Sequence, residues 1–232
     1  MATFNNAKNI LVGASPLFLS TKDSTVAGYV ENMEPNASTG VAYQTGVSYT
    51  DTLNAAAGVI NPKFRNVGYT NNGLQITYNP TYGSVTVDQL LDTAKLFKES
   101  MEVMIATEMT EGTLENVLAV FGQGASTLSS DLTASTSSTQ SLGLAAGALG
   151  VAPTERQLIA VGQAPTSVDG VVAAERVYYA RRVLSVQQSQ FSLARNNPTT
   201  FPVTFRLLPD GNTAYAGQEY GKIIDRVLTV SA

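Results

Sequence analysis

The sequence predicts a mainly β fold: a β sandwich or barrel with one flanking α-helix and long loops. Three observations lead there. Apolar and polar residues alternate with period two from Phe97 to Met109 and again from Phe201 to Leu207, as in strands with one buried face. One stretch, Leu114 to Phe121, instead places Leu114, Val117, Leu118 and Phe121 at helical spacing. Finally, residues 34–59 and 123–152 are dominated by small and uncharged polar residues, a composition that builds loops or arms.

The elements follow in order. Residues 8–31 read as an opening strand pair, Asn9 to Val12 and Leu17 to Ser20, punctuated by Pro16, with Val26 to Val30 as a further extended stretch. Residues 34–59 keep no sustained period and read as a long loop. Next, Leu74, Ile76 and Tyr78 alternate with Gln75 and Thr77, and Val85 and Val87 share a face, so Gly73 to Asn79 and Gly83 to Asp88 form a hairpin about Pro80 to Gly83. The long strand then sets Phe97, Met101, Val103, Ile105 and Met109 on one face and Lys98, Ser100, Glu102 and Glu108 on the other. It passes into the helix without an intervening loop. Thr110 or Thr113 caps the helix, and Gly122 supplies a left-handed stop. Residues 123–152 form a low-complexity insertion. Gly143 and Gly147 there have GxxxG spacing, but the apolar run is about half of the ~20 residues a bilayer requires.

Beyond the insertion, Leu158 to Val161 resumes the β pattern. The long run Val171 to Arg195 carries apolar residues and an Arg on both faces, as in a strand buried on each side or bent at a bulge. Phe201, Val203, Phe205 and Leu207 alternate with Pro202, Thr204 and Arg206, and Pro209 to Gly211 turns the chain. Ile223 to Val230 is the last strand.

The 232 residues and 44% hydrophobic content fit one large β domain or two smaller ones, and we read residues 1–232 as a single domain. Charged residues make up 14%, against roughly 25% in typical soluble proteins. A surface of Ser, Thr, Asn, Gln, Gly and Ala is cheap to bury against copies of itself, because hydrogen-bonded neutral groups cost far less to desolvate than charges. The 14 basic and 18 acidic residues give a formal charge of −4 with no basic run, which argues against a phosphate-gripping protein. The chain has no Cys and no His, so disulfides, thiolate chemistry, the commonest metal ligand and the commonest general base are all excluded.

Carboxylates cluster at Glu99, Glu102, Glu108, Glu111 and Glu115, but Glu99 lies on the opposite strand face. Glu111 and Glu115 sit near a helix start, where the dipole favours acids. Neither a nucleophile elbow nor a phosphate loop nor a dinucleotide fingerprint is present. The reading is therefore not an enzyme, with no cofactor and no metal. The N-terminal apolar patches, Ile10 to Val12 and Leu17 to Leu19, are split by Gly13 to Pro16 and lack a charged leader, so neither a signal peptide nor a membrane span is expected.

Two blocks, in order, resemble the major tail tube proteins of long-tailed, siphovirus-type bacteriophages. The first runs from PKFRNVGYTNNGLQITYNP through VDQLLDTAKLFKESMEVMIATEMTEGTLENVLAVFG. The second is RVYYARRVLSVQQSQFSLARNNPTTFPVTFRLLPD followed by YGKIIDRVL. They cover somewhat more than half of the chain, and residues 34–59 and 123–152 fall outside them. The resemblance implies a structural virion protein with a β sandwich and flanking helix. It would assemble into homohexameric rings that stack into a hollow tube, the conduit for DNA ejection. Its implied partners are further copies of itself and other tail proteins (tape measure, terminator, tip). DNA would pass through without specific binding, no membrane would be involved, and the virion would be assembled in the host bacterial cytoplasm.

Six copies at −4 each would carry −24 formal charges per ring, and an acidic or neutral wall repels phosphates and lets DNA slide. The candidate lumen-facing residues are Ser100, Glu102 and Glu108, which otherwise form an ordinary solvated strand face. Within the loop or arm at 34–72, Phe64, Arg65 and Tyr69 are the candidate subunit or ring contacts, since aromatic and Arg residues favour interface centres. The alternative is that all three pack on their own domain. Two other functions fit a β architecture: a virion-surface or adhesin-type binding protein using some of the ten Tyr, and the tube of a contractile tail or secretion system.

Overall fold

A computed structural model describes residues 13, 15–29, 31, 64–89, 92–131, 139–165, 173–186, 189–193, 195 and 198–228. The expected strand Asn9 to Val12 and the loop at 34–59 lie outside these residues. The fold is mainly β with one helix, as the alternation predicts.

The strands are β1 (Leu17–Ser20), β2 (Phe64–Asn66), β3 (Thr70–Thr86), β4 (Thr93–Met109), β5 (Leu128–Asp131), β6 (Thr139–Leu142), β7 (Arg156–Gln163), β8 (Ala173–Ser185), β9 (Phe201–Leu207) and β10 (Gly221–Leu228); the helix α1 is Leu114–Val120. Eight strands form one antiparallel sheet in the order β2-β1-β7-β8-β9-β4-β3, with β10 paired to β8, and β5 and β6 make a separate two-stranded ribbon. The two ends of that path, β2 and β3, are joined by only residues 67–69. Asn66 and Thr70 can therefore be no more than about 14 Å apart, so the sheet must curl until its ends nearly meet.

Side chains from both halves of the curled sheet meet in one buried cluster. Leu17, Leu19, Leu158, Ala160 and Val183 come from the β1–β7–β8 half; Val103, Ile105, Met109, Val203 and Phe205 come from the β4–β9 half; Ala119 and Val120 of α1 close one end. The opposite face of β1, β7 and β8 carries a second cluster, Phe18, Ile159, Val161, Val177 and Tyr179, joined by Phe64 of β2. Leu158 to Val161 are consequently buried on both faces, which accounts for their unbroken apolar run.

The helix is set by its ends. The Thr113 hydroxyl accepts from the Asn116 amide at 3.3 Å. At the other end Gly122 takes φ 64°, its amide donates to Ala119 O and the Gln123 amide to Leu118 O. That pair of bonds satisfies the last carbonyls only when the residue after the cap is left-handed, a conformation cheap for glycine.

Five expectations need correction. The hairpin about Pro80 to Gly83 does not exist: β3 runs through it unbroken, and the chain reverses between Thr86 and Thr93. Pro80 is tolerated because β3 is the edge of the sheet. Residues 26–29 form a turn, with Val26 N donating to Asp23 O and Tyr29 N to Val26 O. The strand within 171–195 ends at Ser185, and four residues, 110–113, separate β4 from α1. Part of the insertion at 123–152 is regular, since β5 and β6 pair from Leu128 opposite Leu142 to Asp131 opposite Thr139.

Candidate functional site

β4 pairs with β9 only from Met104 to Met109, whereas its pairing with β3 continues to Thr93. The outer parts of β3 and β4 thus leave the sheet as a two-stranded arm. Burial follows that geometry: odd residues of β4 are buried from Val103 to Met109, and every residue from Thr93 to Ser100 is exposed. The body-facing side of the hairpin nevertheless stays apolar as it leaves the body. Ile76 and Tyr78 stand opposite Ile105 and Val103, and Tyr78 is 60% exposed.

A β-bulge changes how this face continues. Thr81 pairs with Ser100 but Tyr82 pairs with Lys98, which leaves Glu99 as the extra residue. Outward of Glu99 the alternation is therefore inverted. Lys98, expected on the polar side, lies with Met101 and Tyr78: its Nζ sits 2.7 Å from Met101 Sδ and 5.8 Å from the centre of the Tyr78 ring. Phe97 changes sides with it, opposite Gly83, and the body-facing stripe runs on through Tyr82 and Leu96.

Between the base of the arm and the β8–β10 pair lies an apolar groove of about 250 Å³, lined by Ile76, Tyr78, Met101, Val103, Leu207, Tyr220 and Ile223 among others. It exists because β9 ends at Leu207 while β4 and β10 continue on either side. The Tyr220 hydroxyl reaches Met101 O at 3.5 Å across it.

Ser100, Glu102 and Glu108 do share one face, the side of β4 turned away from the core, opposite Thr81, Asn79 and Asn71 respectively. Glu108 accepts from Asn71 Nδ2 at 3.3 Å. Glu102 lies 3.6 Å from Arg206 of β9, so this face is less acidic than β4 alone suggests.

The three expected contact residues separate. Phe64 is 3% exposed and belongs to the chain's own second core cluster, so it presents no surface to a neighbour. Arg65 is turned inward: Nη1 donates to Asn116 Oδ1 at 2.6 Å and Nη2 to Glu115 O at 2.7 Å, tying β2 to α1. Burial, with repulsion from Arg156, lowers its pKa to about 10 against the opposing attraction of Glu115. Only Tyr69, 81% exposed, remains available to a partner. It is held there by its own amide, which donates to Glu111 Oε1 at 3.0 Å. Gly68 before it has φ 85° with the Glu111 carboxylate where a Cβ would stand, so any other residue would be strained and would push that carboxylate off the Tyr69 amide.

Two features escaped the sequence reading. Asp23, fully buried, pairs with Arg156 at 2.9 Å and also accepts from the amides of Thr25 and Ala125, while Arg156 donates to Gln123 O. This knot joins the turn after β1, the segment after α1 and β7. The only local signal was Asp-Ser-Thr, a sequence suited to an Asx turn. The second feature is the stretch from Leu144 to Val151, where Leu144, Leu149 and Val151 are 72%, 105% and 67% exposed. It is tied to the end of α1 by Gln123, whose amide exchanges hydrogen bonds with both backbone groups of Ala145.

A polar pocket of about 230 Å³ contains Tyr29, Glu155, Arg182 and Asp210. Arg182 makes a bidentate pair with Glu155 at 2.7 Å and donates to Pro209 O, and burial raises the Tyr29 pKa. Among the described residues no group of three or more His, Cys, Asp or Glu could hold a metal ion, and no helix is long and apolar enough to cross a membrane. No protein-family model matches the chain, and no curated protein matches it.

Proposed function

We propose that the chain is a structural subunit of a long-tailed bacteriophage, self-assembling into stacked rings that form the hollow tail tube through which DNA is ejected. The observation that carries this reading is the arm. Its apolar, body-facing stripe emerges uncovered from a chain with only 14% charged residues, and exposed apolar surface of this extent marks an interaction site. The side of β4 bearing Ser100, Glu102 and Glu108 is the surface best suited to line a bore: it is polar, has mixed charge, and would not grip a polyanion. Tyr69 is the remaining candidate contact from the expected set. The reading places the protein in the virion and assigns it no catalytic step.

Negative-stain electron microscopy of the purified chain across a concentration series tests the proposal. Rings or hollow tubes at high concentration are expected. Dispersed monomers throughout, with no tubes after addition of tail-tip or terminator components, would overturn it and favour a surface-binding role.

A further inference from the structure

We infer that the apolar segment Leu144 to Val151 of one copy seats in the groove between the arm and β10 of the next copy. This inference rests on the proposed self-assembly and names the contact that would propagate it. The two surfaces complement one another and lie on one chain. The groove is concave, about 250 Å³, with walls from Ile76, Tyr78, Met101, Tyr220 and Ile223. The segment projects, with Leu149 fully exposed and Leu144 and Val151 nearly so. The segment's side chains carry no charge; of the groove's lining residues Lys222 is charged, and the ammonium of the exposed Lys98, which rests on Met101 and Tyr78, reaches water on its flexible stem. Their union therefore desolvates apolar groups with little ionic cost.

The projecting patch and the receiving patch are different surfaces of the same molecule, and in the proposed ring they meet as a heterologous contact. Such contacts repeat head to tail and generate rings when the rotation closes, or filaments when it does not. A two-fold dimer would instead make the contact twice, each copy's segment in the other's groove, and would close at two copies without a ladder of higher oligomers. Three aliphatic side chains fill only part of the ~800 Å² that a stable interface buries on each partner, so the contact acts together with the arm rather than alone. Gln123 supports this role by holding Ala145 through both backbone groups, which fixes the root of the segment and limits the freedom lost on docking.

The chain has no cysteine, so introduced thiols report without background. Leu149→Cys and Ile223→Cys are both at exposed positions and are made as separate variants, each checked for native circular dichroism. They are mixed at assembling concentration and treated with a bis-maleimide. The inference expects cross-linked dimer at least tenfold above that from either variant alone. A chain carrying both substitutions should give a ladder of higher oligomers. If rings form but the mixture cross-links no better than Leu149→Cys mixed with Gly211→Cys, the inference falls while the tube reading stands. If neither rings nor cross-links form at any concentration, with tail-tip or terminator components added, both fall.

Discussion

The inner and outer halves of the β3–β4 hairpin carry similar apolar residues and meet opposite fates. From Val103 to Met109 the body-facing side of β4 packs into the core cluster with the β1–β7–β8 half of the sheet and α1, and its residues are buried. Farther out, Tyr78, Tyr82 and Leu96 extend the same side and are 60%, 59% and 65% exposed. Hydrophobicity along the strand thus does not report whether the chain itself provides the cover. The body pairs even its buried Asp23 and Arg156 internally, whereas the arm leaves apolar area for another molecule. Stability should reside in the first region and assembly in the second, and substitutions can separate the two.

The largest effect is expected in the body at Asp23. Asp23→Ala would strand the Arg156 guanidinium in a site where the pair is 0% and 7% exposed, and removal of one partner of a buried pair costs about 3–5 kcal/mol. Urea unfolding followed by circular dichroism should show that loss; a change under about 1 kcal/mol would mean that Arg156 finds water or another acceptor. Leu158→Ala should cost about 2–5 kcal/mol, since its side chain is fully buried at the centre of the sheet. Leu96→Ala on the arm, at 65% exposure, should change monomer stability by less than about 0.5 kcal/mol yet reduce the assembled fraction in sedimentation. Equal stability losses at Leu158 and Leu96 would abolish the distinction between body and arm.

What could be read beforehand is mostly what is local. The helix was legible because Thr113 and Gly122 act within a few residues of themselves, and β9 because each inward residue from Phe201 to Leu207 obeys a period set by its own backbone. The shared face of Ser100, Glu102 and Glu108 followed from the same period. The Glu99 bulge was invisible because it is defined by the partner's register, and it reversed the sides given to Phe97 and Lys98. Pro80 to Gly83 has turn chemistry, and only the edge position of β3 lets a strand pass through it. The Arg206 partner of Glu102, the inward turn of Arg65 and the Asp23–Arg156 pair, 133 residues apart, depend on topology that no spacing rule encodes.

A smaller effect is expected where the body meets the root of the arm. Thr113→Ala removes the side-chain cap of α1 and should cost about 1 kcal/mol. The loss should not exceed that, because Arg65 and Val67 both hold to Asn116 in the first turn independently of the Thr113 side chain. Thr113→Ser should recover most of it. If Thr113→Ala proves neutral in urea unfolding, Arg65 and Asn116 suffice to fix the helix start.

The smallest effect lies at the Arg176–Asp225 pair between β8 and β10, which flanks the receiving groove. Its two hydrogen bonds are 2.6 Å long, but the Asp225 side chain is 50% exposed, so solvent screening limits its worth to under about 1 kcal/mol. The hydrogen bonds from Arg176 hold the Asp225 carboxyl below its ordinary value of 3.8. A carboxyl with a depressed folded pKa contributes stability that is fully present above the unfolded value and disappears as pH falls through the folded one. The pair should therefore support the fold at neutral pH and lose its contribution only below about pH 3.8. Asp225→Asn should lower stability slightly at pH 7 and converge with the unaltered chain in strong acid. A gap that persists unchanged to pH 2 would assign the effect to packing of β10 rather than to charge. Assembly of Asp225→Asn at neutral pH would then show whether the groove's far wall must be held rigidly to receive its occupant.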